Sequence, residues 1–228
     1  GAGPGYGVCL SLFYTARAFL MAMHIMPRSK MSSFVAIPLF SLFIITALII
    51  GSSNAAISVK PGYSIQLAID YARPGQIIEV QNGTYNETIN LTKSLILQGQ
   101  SNPVVNARGK GSAITISANG TTLQGFTATG SGEGAGDAGI KVRSRQNIIS
   151  NNSAVRNNNI GIFLFHASNN TLSGNGAVEN NNSGIMLVHS NNNQISSNYI
   201  GRNRDGVFIQ TSRGNTLTDN NLNKNRMG

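Results

Sequence analysis

The most regular feature of the chain is a hydrophobic pattern that restarts at glycine. Gly139-Ile-Lys-Val, Gly161-Ile-Phe-Leu, Gly184-Ile-Met-Leu and Gly206-Val-Phe-Ile share one form, at steps of 22, 23 and 22 residues. Apolar residues alternate in each segment, so Ile140/Val142, Ile162/Leu164, Ile185/Leu187 and Val207/Ile209 face one side of an extended strand. A second signature, N-x-[IL]-[ST]-x-N-x-x-x-x-N, recurs inside each unit. It is carried by Asn147/Asn152/Asn157, Asn170/Asn175/Asn180, Asn193/Asn198/Asn203 and Asn215/Asn220/Asn225. Ile149, Leu172, Ile195 and Leu217 hold the apolar position after the first Asn, and Ala154, Ala177, Ile200 and Leu222 the one after the second.

Each unit thus holds three short period-two pieces separated by Gly, Asn and Ser turns, with no run long enough for a helix. Such a coil predicts one rung of a parallel β-solenoid, in which equivalent residues stack about 4.8 Å apart. Aliphatic side chains then form interior columns. The repeated Asn form hydrogen-bonded ladders at the turns, and Asn is also expected where a turn needs positive φ.

Weaker rungs precede these four. Ala113-Ile-Thr-Ile with Thr121, Leu123, Phe126 and Ala128 keeps the template without its Asn, and Ser94-Leu-Ile-Leu with Asn102 and Val104 fits a shorter coil. Ile77 to Val80 is the predicted first strand, and Gly130 to Asp137, rich in glycine, a loop bulging from one turn. The expectation is an all-β, right-handed parallel β-helix of about seven rungs. Ser64 to Ala72 predicts one helix: Ser64 is its N-cap, Ile65, Ala68 and Ile69 share a face, and Arg73-Pro74-Gly75 ends it. A solenoid must cover its end strands, so this helix is read as an N-terminal cap.

The first 55 residues differ in character. Arg28 and Lys30, the apolar run Phe34 to Ile50 and Ser53-Asn54-Ala55 make residues 26–55 read as a secretory signal peptide. An uncleaved membrane anchor is the rival reading, and the chain then meets membrane only through this leader. Residues 1–25 fit neither an n-region nor a folded element and read as upstream, non-native translation; they hold Cys9, the single cysteine. Residues 56–228 form the β-helix domain, expected to be C-terminally truncated because Gly228 falls where another repeat would start. The product is expected to be secreted, periplasmic or on the cell surface.

Composition narrows the chemistry. Only 11% of residues are charged and eight are acidic; the formal charge is +9, and removing Arg17, Arg28 and Lys30 with the leader leaves +6. The cations lack the aromatic-interleaved helix or zinc-finger spacing of a nucleic-acid binder, and none is expected as a partner.

Ser64-Ile-Gln-Leu-Ala-Ile-Asp, Pro74-Gly75-Gln-Ile-Ile-Glu-Val, Gly83-Thr84-Tyr85-Asn-Glu87, Lys93-Ser-Leu-Ile-Leu-Gln-Gly99 and the Asn-rich repeats together resemble secreted right-handed β-helix proteins of the pectin-lyase-like superfamily. The similarity is to the carbohydrate-binding and sugar-hydrolysis type with NosD-like repeats, and spans about residues 57–228. It implies a scaffold that hosts unrelated activities.

Enzymes on this scaffold need paired carboxylates, or a base beside acidic calcium ligands. After the leader the acids are Asp70, Glu79, Glu87, Glu133, Asp137, Glu179, Asp205 and Asp219, and none shares a strand position with another in adjacent rungs. The catalytic segments of pectin methylesterases are absent too. No catalytic residue is assigned, and no cofactor is required. The outward positions of the glycine-led strand read Lys141/Arg143, Phe163/Phe165, Met186/Val188 and Phe208/Gln210, an apolar patch beside a basic edge. It fits a docking surface for sugar rings or another partner, or a surface covered by further chain. His166 and His189 each follow their repeat Gly by five residues and should stack, a candidate copper or zinc pair or a plain turn ladder.

Asn82, Asn86, Asn90, Asn119, Asn151, Asn169 and Asn181 satisfy N-x-[ST]. The first three are candidate glycan acceptors; those within repeats are assigned to ladders. The reading that follows is an exported, non-catalytic scaffold for carbohydrate or a cell-envelope polymer. Two alternatives stand beside it: a polysaccharide-active enzyme with catalytic rungs beyond Gly228, and a copper-handling periplasmic accessory protein.

Overall fold

The computed structural model describes residues 55–228; the upstream stretch expected over residues 1–25 and the signal peptide expected over 26–55 lie, but for Ala55, outside the described residues. The chain coils through three faces. A sheet of eight strands starts with Ile57–Val59 and Ile77–Val80 and ends with Thr216–Thr218. A second sheet of seven runs from Thr84–Tyr85 to Asn221–Asn223, and a third of six from Ile89–Leu91 to Asp205–Gln210. Each strand pairs in parallel with its equivalent one coil later, as in Ile140↔Ile162, Ile162↔Ile185 and Ile185↔Val207. The result is a parallel β-helix of about seven turns, and the glycine-led segments align as their spacing requires.

The interior is filled by the alternating residues. Ile78, Leu97, Leu123, Ile149, Leu172 and Ile195 form one buried column, and Ile89, Ile114, Ile140, Ile162 and Ile185 another. Burying each such side chain contributes about 1.5–3 kcal/mol. Two details differ from the sequence reading. Ile57–Val59 forms a strand one coil before Ile77–Val80, with Ile57 opposite Ile78; three residues are too few to show a period. In the shorter coil Val105, not Val104, points inward, since two adjacent valines leave the register open.

Helix α1 (Ile65–Tyr71) lies between these first two strands in the chain and buries Ile65 and Ile69. Ser64 Oγ accepts from Leu67 N–H at 3.1 Å, the predicted N-cap. Two residues of the family-like motifs complete the cap. The Glu87 carboxylate accepts from Ser64 Oγ (2.7 Å), Ile65 N–H (2.8 Å) and Gln66 N–H (3.2 Å) at the positive end of the helix. Lys93 Nζ donates to the carbonyls of Ile69, Asp70 and Ala72 at the negative end.

Three Asn ladders run along the corners. In each, the backbone N–H and Nδ2 of one Asn both donate to Oδ1 of the Asn one coil later, as from Asn170 to Asn193 at 2.9 and 3.0 Å. Nδ2 also donates to a carbonyl of the previous coil, Ser144 in this case, except at Asn147, where it donates to Ser144 Oγ. Every polar atom of such an inner ladder amide is thereby satisfied, which removes the cost of burying it. One coil earlier, where the Asn are missing, Thr121, Phe126 and Ser131 still donate their N–H to Asn147, Asn152 and Asn157.

The last member of each ladder departs from this pattern. Asn215, Asn220 and Asn225 still accept from both nitrogens of Asn193, Asn198 and Asn203 respectively, and their Nδ2 groups donate back to the carbonyls of Ser190, Ile195 and Ile200. They are half-buried, however, where the earlier ladder Asn are buried, and they donate to no further Asn among the described residues. Asn215, Asn220 and Asn225 lie in the last coil of the described residues and belong to the ladders by the same hydrogen bonds.

The ladder Asn do not themselves take positive φ. The residue before each third-ladder Asn does, in the series Arg156, Glu179, Arg202 and Lys224, with φ between 52° and 57°. Asn151 and Asn169 hold the same place before Asn152 and Asn170, exposed and next to the ladder rather than in it. Asn181 is exposed as well, while Asn119 accepts from Arg145 N–H at 2.9 Å. The N-x-[ST] positions within the repeats are therefore surface residues, because their neighbours Asn152, Asn170 and Asn180 take the buried sites.

Candidate functional site

The glycine that leads each repeat is a packing requirement. A Cβ on Gly161 would lie 2.6 Å from both Asn180 Nδ2 and the Gly184 carbonyl oxygen. The third Asn ladder therefore presses against the start of the third sheet, whose outer face carries the candidate ligand residues.

That face is only partly open. Phe163 is 5% exposed and clusters with Ala138 and Ile160 outside the main core. The Gly130 to Asp137 loop passes close by; a Cβ at Gly136 would sit 3.7 Å from the Phe163 ring. Phe163 is thus no exposed contact, contrary to the alternation rule, because an insertion one coil earlier covers it. The accessible strip is made of half-buried Phe165, Met186 and Val188 with exposed Phe208. Lys141 and Arg143 flank it one coil earlier, with Lys141 Nζ 5.7 Å from the Phe163 ring centre. Burial first, then the neighbouring Arg143 charge, pushes the Lys141 ammonium below the ordinary lysine range, opposed by Asp137.

Aromatic rings continue from the strip onto the turn. Phe163 and Phe165 have centroids 5.6 Å apart, and Phe165 meets His166 edge to face at 4.5 Å. His166 stacks on His189 at 4.9 Å with planes 12° apart, as the repeat predicts. The two imidazoles do not fit a shared copper or zinc ion. Ring-nitrogen lone pairs lie in the ring planes, and nearly parallel planes do not converge on one ion. Among the described residues no group of three or more His, Cys, Asp or Glu is placed to hold a metal.

Five of the eight carboxylates have structural partners. Glu87 caps α1, Asp70 accepts from Gln66 Nε2, Asp137 accepts from Gly134 N–H within its loop, and buried Asp205 pairs with Arg204 at 3.1 Å. Glu179 bridges Arg156 at 3.1 Å and Arg202 at 2.8 Å across three coils. Hydrogen bonds from Arg202 and then Arg156 hold its carboxyl below the usual carboxylate range. This column escaped sequence reading because its members differ in sign; the signal available was their shared position directly before the third ladder Asn.

Residues 63–228 match the family model described as periplasmic copper-binding protein (NosD). The chain belongs to the NosD family. No curated protein sequence matches it. Among solved structures, an alginate lyase from Paenibacillus sp. str. FPU-7 is similar over 75% of each chain, with a TM-score of 0.56 and 16% identity. The pectate lyase Pel9A is similar over 65% of this chain and 54% of its own, with a TM-score of 0.51 and 16% identity. At such identity the likeness establishes the parallel β-helix fold that this NosD-family chain shares with them.

Proposed function

We propose that this NosD-family chain is an exported, non-catalytic scaffold that binds carbohydrate on the outer face of its third sheet. The observation that carries the reading is the strip of Phe165, Met186, Val188 and Phe208, apolar where the outer face of a solenoid is ordinarily polar, with cationic Lys141 and Arg143 at one end. Flat aromatic faces beside cations suit sugar rings that carry acidic groups. Two solved structures of this fold, an alginate lyase and a pectate lyase, are named for polysaccharides, which supports a glycan over other polymers. The engagement of Glu87, Asp137, Glu179 and Asp205 in structural contacts supports binding without catalysis. The family description supports a periplasmic site of action. Carbohydrate is favoured over copper because His166 and His189 stack face to face.

The test is retention in affinity gels containing alginate or polygalacturonate. Wild-type protein is expected to be retarded, and the double variant Phe165→Ala/Phe208→Ala to lose most of the retardation at unchanged fold. Equal mobility of wild type in gels with and without glycan overturns the reading.

A further inference from the structure

A second surface lies at the corner where the second sheet turns toward the third. Tyr199 is 42% exposed on the outer face of the second sheet. A Cβ on Gly201 would lie 3.2 and 3.3 Å from two carbons of the Tyr199 ring, so the ring lies along its own strand over a position cleared by glycine. One residue further, Arg202 opens the corner.

The corner column reads Arg156, Glu179, Arg202, Lys224, one residue per coil. Arg156 and Arg202 keep 77% and 58% of their side chains exposed while both bind Glu179, so the carboxylate fixes two guanidinium groups without burying them. Lys224 continues the column and is exposed, with no salt bridge among the described residues. Adding Arg204 and Arg226 and subtracting Glu179 and Asp205 leaves a net +3 on this corner, half of the +6 that follows residue 55.

We infer that this corner, with the Tyr199 ring, binds an extended anionic glycan lying parallel to the solenoid axis. The inference rests on the carbohydrate reading above but concerns a different face. Two features select the ligand class. Arg156 and Arg202, two coils apart on either side of Glu179, and Lys224 one coil further hold cations on one line at multiples of the roughly 4.8 Å rise of the coil, which complements a linear polymer with charges along its length. An aromatic face beside that line suits the C–H face of a sugar ring, while the exposed guanidinium groups offer paired donors to carboxylate or sulfate. Glu179 acts as a positioning residue that limits the side-chain ordering lost on binding.

The experiment measures binding of purified protein to immobilised polygalacturonate, to its methyl-esterified neutral form and to poly-dT, by biolayer interferometry. The variants are Arg202→Gln/Lys224→Gln, Tyr199→Ala and, on the third sheet, Phe165→Ala/Phe208→Ala, each checked by circular dichroism. Loss of the two cations is expected to weaken polygalacturonate binding about tenfold while leaving the neutral polymer unaffected; Tyr199→Ala weakens both polymers. The inference is overturned when the cation variant binds polygalacturonate like wild type, or when poly-dT binds as tightly as polygalacturonate. If only the third-sheet variant loses binding, the corner proposal fails and the carbohydrate reading survives. If wild type binds neither glycan, both fall.

Discussion

Asn175 Oδ1 accepts two hydrogen bonds from Asn152, 3.0 Å from its backbone nitrogen and 3.1 Å from Nδ2. Asn175 Nδ2 in turn donates to the Ile149 carbonyl at 2.8 Å and to Asn198 Oδ1 at 3.0 Å. Truncation to Ala leaves donors on Asn152 and acceptors on its neighbours unpaired inside the protein. The Asn175→Ala variant is expected to lose about 3 kcal/mol, from buried groups costing about 1–3 kcal/mol when unsatisfied. Urea denaturation midpoints check it; a variant as stable as wild type would contradict the burial argument.

Two glycines separate packing from backbone freedom. Gly161→Ala forces a methyl group to 2.6 Å from Asn180 Nδ2 and the Gly184 carbonyl oxygen, whereas a Cβ on Gly176 meets nothing closer than 3.7 Å. The first substitution is expected to cost about 2 kcal/mol or more through overpacking. The second should be neutral or stabilising by about 0.5 kcal/mol, since Gly lowers strand stability. Thermal unfolding of the pair tests the contrast, which requires Gly161→Ala to melt well below Gly176→Ala.

The Glu87 carboxylate makes three hydrogen bonds at the start of α1. Glu87→Ala should cost about 1–2 kcal/mol, the scale of a lost helix cap. It should raise amide exchange across residues 65–72 while the Asn-ladder coils keep their protection. Hydrogen exchange read by mass spectrometry distinguishes this local loosening from global unfolding.

The charge column gives a pH dependence. Glu179 has its carboxyl lowered from 4.5 by its two arginine partners. The unfolded chain therefore binds that proton first, and the stabilisation is fully present above 4.5 and lost as pH falls through the lower folded value. Melting temperatures of wild type and Glu179→Gln should differ slightly at about pH 6 and converge toward pH 3. A difference that grows on acidification would run against the assignment.

Much of the fold was legible because a parallel in-register stack turns sequence period into spatial adjacency. Ile140, Ile162 and Ile185 stand opposite one another because they stand at equal phase in the repeat. The ladder Asn and the stacked His166 and His189 follow from the same rule. The rule failed where neighbours come from different phases. Phe163 occupies an outward position yet is buried, because the Gly130 to Asp137 loop folds over it. Glu87 and Lys93 look like ordinary charged residues until the docked helix places its two ends against them.

The sequence by itself determined the coil length, the three strands per coil, the interior columns and the identity of the ladder Asn, since each depends only on periodicity. Tertiary structure alone decided what lies over the outer faces: which aromatic side chains remain open and how Glu179 joins Arg156 to Arg202. The residue before each third-ladder Asn takes the left-handed conformation, with Arg156 and Arg202 exposed there while the amides of Asn157 and Asn203 are buried. Surface chemistry then depends on contacts between coils that no repeat constrains, and there the corner acquires its net positive charge.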